Sequence, residues 1–334
     1  MKKILASAAI ASITMTLGSV ASAQEDCGAV TMAEFNWASG ELLANVDKFI
    51  LEEGYGCEVE LIVGGTAPIF ASMNEKGVPE IAGEQWVNAI RDNLDAAVAE
   101  GRLYAVNTGP IDGLGEGWWV PAYTLEANPE LKTVLDVIER PDLFPSAEDP
   151  SLGGFVGCPA GWGCQAVNIN LFEAFGMEDK GWTLIDPGSA AGLDGSIAKA
   201  NERGENWFGY YWSPTALIGK YNMVQVPFGV EYAGNEAWNT CISQEGCVNP
   251  PQSAWVKSEV FTMVTDDFNA RGGPILDYLA ARVYPGEVMG AMLVYMADEQ
   301  AEGTDAAIEF LIRYEDVWST WVSPEVAAKV KAAL

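Results

Sequence analysis

The sequence contains no histidine. That absence removes the commonest general base, any Ser-His or Cys-His nucleophilic dyad, and the His-Glu-x-x-His zinc sites. Basic residues are scarce too: 18 Lys and Arg stand against 47 Asp and Glu, for a formal net charge of -29. A field of that sign repels nucleic acid and anionic membrane surfaces, so neither is expected as a partner. A cation or a zwitterion can still approach. No Asp-x-Asp-x-Asp-Gly loop marks a calcium site, so no metal and no cofactor are assigned. Past the N-terminus, no run reaches the roughly 18 apolar residues of a spanning helix.

What is present begins with a targeting segment. Lys2 and Lys3 precede an apolar run from Ile4 to about Val20, and Ala21-Ser22-Ala23 is a small-residue cleavage site. Residues 1–23 read as a signal peptide cleaved after Ala23, which makes the mature protein periplasmic. Six cysteines suit that oxidising compartment. Their order suggests the pairs Cys27–Cys57, Cys158–Cys164 and Cys241–Cys247, one arrangement among the several that six cysteines allow. An exported carbohydrate-active enzyme would use tryptophan platforms and a pair of carboxylates. With this many acidic residues such pairs arise by chance, and no motif fixes one. That reading is kept as a remote alternative; no catalytic residue is assigned, and the chain is not read as an enzyme.

The mature length, roughly 310 residues, exceeds what one compact core usually holds, so two domains are expected. Residues 28–36 read as a strand ending at Trp37, with Ser39 as N-cap of a helix carrying Leu42, Leu43, Val46, Phe49 and Ile50. Strands are also expected at 58–63, at 78–85 before Trp86, and at 103–106. Helices fill the gaps, including one from Asn88 to Glu100. This β-α-β-α-β alternation implies an α/β fold with a parallel sheet, whose ligands bind at the carboxyl ends of strands. Trp37 and Trp86 occupy two such ends. Gly113-Leu-Gly-Glu-Gly-Trp118-Trp119 has the wrong spacing for a dinucleotide fingerprint and reads as the approach to a crossover between lobes. Of the adjacent tryptophans only one can face inward on a strand, and Trp118 is preferred. Residues 125–145 read as a surface excursion, Met223 to Gly229 as a strand, 252–257 as the second crossover, and the C-terminal part as mostly helical with Trp318 and Trp321 in its packing.

The organising stretch is Cys158-Pro-Ala-Gly-Trp162-Gly163-Cys164. Two cysteines six apart can staple the loop, and the helix that follows points free N–H groups and its positive dipole end forward. Trp162 offers a π face to a cation. One short loop thus provides for both ends of a small zwitterion.

With Glu84-Gln-Trp86, the Cys158–Cys164 loop, and Tyr210-Tyr-Trp212-Ser-Pro followed by Val226-Pro-Phe228, the chain resembles the substrate-binding proteins of ABC importers for glycine betaine and related quaternary amines. The resemblance covers most of the mature chain. It implies a two-lobed periplasmic binding protein (type II), monomeric, hinged on two crossover strands, that hands its ligand to a membrane permease. Lobe 1 would comprise residues 24–120 and 256–334, and lobe 2 residues 121–255, with crossovers near Trp118–Ala122 and Gln252–Lys257. Carried over by position, the aromatic cage would use Trp86, Trp162 and Trp212, with Trp37 as in choline-binding relatives and backbone donors from Gly163 and Cys164; Trp118 joins the ligand-binding set on the strand alternation alone. Where choline binders carry a carboxylate two residues after the Trp37 position, this chain has Ser39; where some betaine binders carry a histidine, it has Ile90. Trimethylamine N-oxide, choline and dimethylsulfoniopropionate stay open beside glycine betaine.

Overall fold

A computed structural model of the chain describes residues 27–334. The expected signal peptide lies outside the described residues. Two five-stranded sheets organise the rest, each flanked by helices. The first contains β1 (Gly28–Phe35), β2 (Cys57–Gly64), β3 (Ile81–Trp86), β4 (Leu103–Asn107) and β10 (Val260–Thr265), in the order β2-β1-β3-β10-β4. The second contains β5 (Gly115–Pro121), β6 (Gly153–Val156), β7 (Trp182–Ile185), β8 (Gly209–Ser213) and β9 (Met223–Gln225), in the order β7-β6-β8-β5-β9.

Strands β1 and β2 are parallel and in register from Gly28 opposite Cys57. Their starting ends therefore meet, and the Cys27–Cys57 bridge closes with α-carbons 4.9 Å apart. The other two expected bridges are also present, with α-carbons 5.8 Å apart at Cys158–Cys164 and 5.0 Å apart at Cys241–Cys247. Helices α1 (Ala38–Phe49), α2 (Thr66–Lys76) and α3 (Arg91–Ala99) connect the first strands as the alternation implied. Between α1 and β2 the chain widens into a π-helical turn, Ile50–Tyr55, and Gly56 ends it in the left-handed region.

Four local expectations are corrected. The first sheet is not wholly parallel: β10, returning from the second sheet, inserts antiparallel between β3 and β4. Ser39 is not the helix cap, because the chain turns helical two residues sooner, with extended Trp37 at that position. Strand β5 lies in the second sheet over its whole length, so the chain changes sheets ahead of Gly115, not at Trp118–Ala122. Residues 125–145 are no mere surface excursion: a capping box at Thr133 and Asp136 starts the helix Val134–Ile138, which buries Val134, Val137 and Ile138. Residues 252–257, expected as a crossover strand, run without regular structure toward β10.

Trp318 and Trp321 are buried in the first lobe's helical layer, with the Trp318 Nε1 donating to the Leu311 carbonyl at 2.8 Å. Trp318→Ala should leave a large cavity and an orphaned carbonyl, costing about 3–5 kcal/mol of folding free energy. Urea denaturation read by circular dichroism measures this; a loss below about 1 kcal/mol would show that Trp318 is not a core anchor.

Candidate functional site

The two sheets enclose a cavity with about 460 Å³ of atom-free space, part of it open to solvent. Its walls show why strand ends matter in such folds. Trp37 follows β1, Trp86 ends β3, Trp212 lies near the end of β8, and Trp162 projects from the stapled loop before the helix Cys164–Ala174. All four line the cavity, as do Gly163 and Cys164 at the first turn of that helix. Trp162 is the keystone: its ring stands edge-on to Trp37 at 5.1 Å and to Trp212 at 5.0 Å. Its Nε1 donates to the Asn36 Oδ1 at 2.8 Å, reaching from the second sheet's loop to the end of β1. Two glycines permit this approach. Gly161 adopts a φ of +83°, and a Cβ on Gly163 would lie 2.7 Å from the Ala89 Cβ.

Trp118, expected in the site, is not in the cavity wall. It is fully buried in the second lobe, 4.5 Å from Phe155 and 5.1 Å from Phe228, and its Nε1 donates to the Asn168 Oδ1 at 2.8 Å. Asn168 in turn donates to the Cys164 carbonyl, so Trp118 braces the helix start from behind. Trp119 is turned away as well, donating to the Tyr211 carbonyl. The cavity position on that face of β5 belongs to Glu116, two residues earlier. Alternation gives the face of a strand, and two residues along it is about 7 Å, enough to pass from cavity rim to core.

Sequence reasoning also missed Tyr210, Trp238 and Trp255 as walls. Tyr210 lies two residues before Trp212 on the same face of β8, and that spacing could have found it. Trp255 has no periodicity to orient it, since it lies in the irregular return segment. These rings form a second wall, Tyr210–Trp255 at 5.5 Å and Trp255–Trp238 at 5.7 Å. Asn88 ties that segment to the loop after Trp86, donating to the Lys257 carbonyl and accepting from the Glu259 N–H.

Two carboxyl groups serve this constellation. Glu116 accepts from the Tyr210 hydroxyl at 2.9 Å and the Ser258 hydroxyl at 3.2 Å. Burial pushes its pKa up to about 7, against the lowering effect of those hydrogen bonds. Glu84 is fully buried, and a single oxygen, Oε1, accepts from the Trp37 and Trp86 indoles and from Ser39. Burial raises it to about 7 as well. None of the described residues lining the cavity is basic.

The pH dependence of the guest-free protein follows from these carboxyls. Both are held above their ordinary range in the fold, so the folded state binds protons the unfolded chain has released. The stability they contribute is full below pH about 4.5 and is lost as pH rises through about 7. At about 1.4 kcal/mol per pH unit, the loss is on the order of 3 kcal/mol for Glu84 and smaller for Glu116, which borders the cavity. Denaturant titrations at pH 5 and pH 8 should show the parent weaker at pH 8 and the E84Q/E116Q variant nearly level; identical slopes would remove these groups as the cause.

The residues 28–313 match the family model described as the substrate-binding domain of ABC-type glycine betaine transport systems (OpuAC). Among solved structures, the chain is similar to an ABC-transporter choline-binding protein in complex with choline (TM-score 0.70, 16% identity, 92% of this chain and 99% of that one). It is also similar to the glycine betaine/L-proline-binding protein of Borrelia burgdorferi (TM-score 0.67, 15% identity, 90% and 99%). A third is lactococcal OpuAC, closed on glycine betaine (TM-score 0.65, 15% identity, 89% and 100%). At such identities the structural likeness establishes the two-lobed fold, and the family match covers most of the chain. The chain belongs to the family of substrate-binding domains of ABC-type glycine betaine transport systems.

Proposed function

We propose that the protein captures a small methylated ammonium compound between its lobes, glycine betaine in the first instance, and delivers it to the permease of an ABC importer. The observation that carries this is the cavity wall: Trp37, Trp86, Trp162 and Trp212, with Tyr210, Trp238 and Trp255, and no basic side chain among the described lining residues. A trimethylammonium group has no N–H, so donors and acceptors cannot select it, whereas aromatic faces can, at about 0.5–2 kcal/mol per desolvated contact. Four such faces at the upper end of that range would sum to about −8 kcal/mol, the scale of micromolar affinity. The carboxylate of a betaine has the first-turn N–H groups at Gly163 and Cys164 to receive it. Closure would hinge on the residues 108–114 and 250–259, which link the two sheets. Export rests on the N-terminal leader, with cleavage after Ala23.

Glu116 favours a second reading. A carboxyl group on the wall repels a carboxylate guest when ionised, but when protonated it can donate to the single oxygen of trimethylamine N-oxide. Titration calorimetry with both guests separates the two; the N-oxide reading stands if that guest binds about tenfold tighter than betaine.

The cage itself is tested by substitution. Alanine at Trp86, Trp162 or Trp212 should each cost about 1–2 kcal/mol of binding, a tenfold or greater loss, and phenylalanine less, because it keeps a π face. Trp318→Ala should leave affinity per folded molecule unchanged. Unaltered affinity in all three alanine variants would contradict the cage.

A further inference from the structure

Glu84 is not itself a wall of the cavity, yet it touches two of the walls. Its Oε1 accepts from the Trp37 Nε1 at 2.8 Å, from the Trp86 Nε1 at 3.0 Å and from the Ser39 hydroxyl at 2.8 Å. The donors come from different elements: Trp37 and Ser39 from the start of α1, Trp86 from the end of β3. An indole has one N–H with one direction, so an acceptor fixed in the core, together with the tether at Cβ, restricts how the ring can turn. Two rings of the cage thus take their orientation from one atom. The second oxygen, Oε2, has no hydrogen-bond partner among the described residues.

The charged surroundings of Glu84 are equally specific. Arg282 lies buried behind Gly83, donating to the Gly83 carbonyl and the Thr262 hydroxyl. It is neutralised by Asp47 at 3.2 Å, which also accepts from Tyr278. The hydroxyl of Tyr284 faces the same cluster. Ser39, Trp37 and Trp86 bring dipoles but no charge. Across the cavity the only acidic wall among the described residues is Glu116. Arg282 lowers the Glu84 pKa through space but has its ion pair with Asp47, so no basic group pairs with Glu84 directly.

We infer that Glu84 is the positioning residue of the cage, setting the planes of Trp37 and Trp86, and that its carboxylate is the buried counter-charge of a permanently cationic guest, so that binding such a guest expels a proton. The inference rests on the reading that the cavity takes a methylated ammonium. A fixed positive charge on the far side of the two indoles favours the ionised carboxyl over the neutral one. Burial raises Glu84 to about 7 against the lowering pull of its hydrogen bonds and of Arg282, so both forms are populated in the empty protein near neutral pH. Linkage then requires affinity for a cation to rise as pH rises through that range.

The test uses the full mature chain and tetramethylammonium chloride, a guest with no titrating or hydrogen-bonding group. Calorimetry at pH 7 in two buffers of different ionisation enthalpy counts the protons released per guest. E84A should lose about tenfold or more in affinity, since both indoles lose their anchor. E84Q keeps an acceptor oxygen and should recover most of that loss at pH 6, while releasing fewer protons than the parent and gaining less affinity toward pH 8. E116Q removes the other carboxyl and should keep the Glu84 share of the release. If E84A binds as tightly as the parent, or if E84Q and the parent release the same number of protons, the inference is overturned while the cage reading survives. A parent that binds neither tetramethylammonium nor any trimethylammonium compound overturns both together.

Discussion

The hydrogen bond from Trp162 to Asn36 is the contact on which the site depends. It joins a stapled loop of the second sheet to the end of the first strand of the first sheet. Around it the backbones nearly touch: the Ala67 N–H donates to the Gly161 carbonyl, and a Cβ on Gly65 would lie 2.6 Å from that same oxygen. Such an approach needs glycine on both sides. The result is that Trp162 stands roughly perpendicular to one tryptophan from each side of the cavity, so neither lobe alone has a cage.

The chemistry of the cavity follows from what surrounds it. An acidic chain with no histidine gathers aromatic faces and two neutralisable carboxyls at its centre and keeps its basic side chains elsewhere. Arg282, the buried cation nearest to this machinery, is paired with Asp47 behind the sheet. A soft cation therefore meets attraction from every side, whereas a free anion meets only the short row of N–H groups at the helix Cys164–Ala174. That asymmetry, more than any single residue, makes a methylated ammonium the natural guest.

Much of this was legible in the chain, for identifiable reasons. Trp37 and Trp86 were placed because strand-helix alternation shows where strands end, and parallel strands put their ends on one side. Chain order suggested the Cys27–Cys57 bridge, and the parallel start of β1 and β2 is what brings its two ends together. Other features depend on what lies opposite in space. Nothing local in Val260–Thr265 says that it will enter between β3 and β4 in the reverse direction. Ser39 looked like a cap because serine is a favoured N-cap residue, yet the helix begins two residues sooner and the Ser39 hydroxyl donates to Glu84, distant in sequence. Trp118 was assigned by face and misjudged by depth, and Glu116 took its place. Trp238 and Trp255 belong to segments without a long regular period, so their side chains could be oriented only by the fold.

The central claim is that methyl groups against aromatic faces, not donors and acceptors, select the guest. Titration calorimetry of the parent protein with glycine, sarcosine, dimethylglycine and glycine betaine isolates that term, since the carboxylate stays constant and only N–H is exchanged for N–CH₃. The account predicts that affinity climbs with each methyl group and that glycine itself barely binds. Equal affinity for glycine and glycine betaine would contradict it.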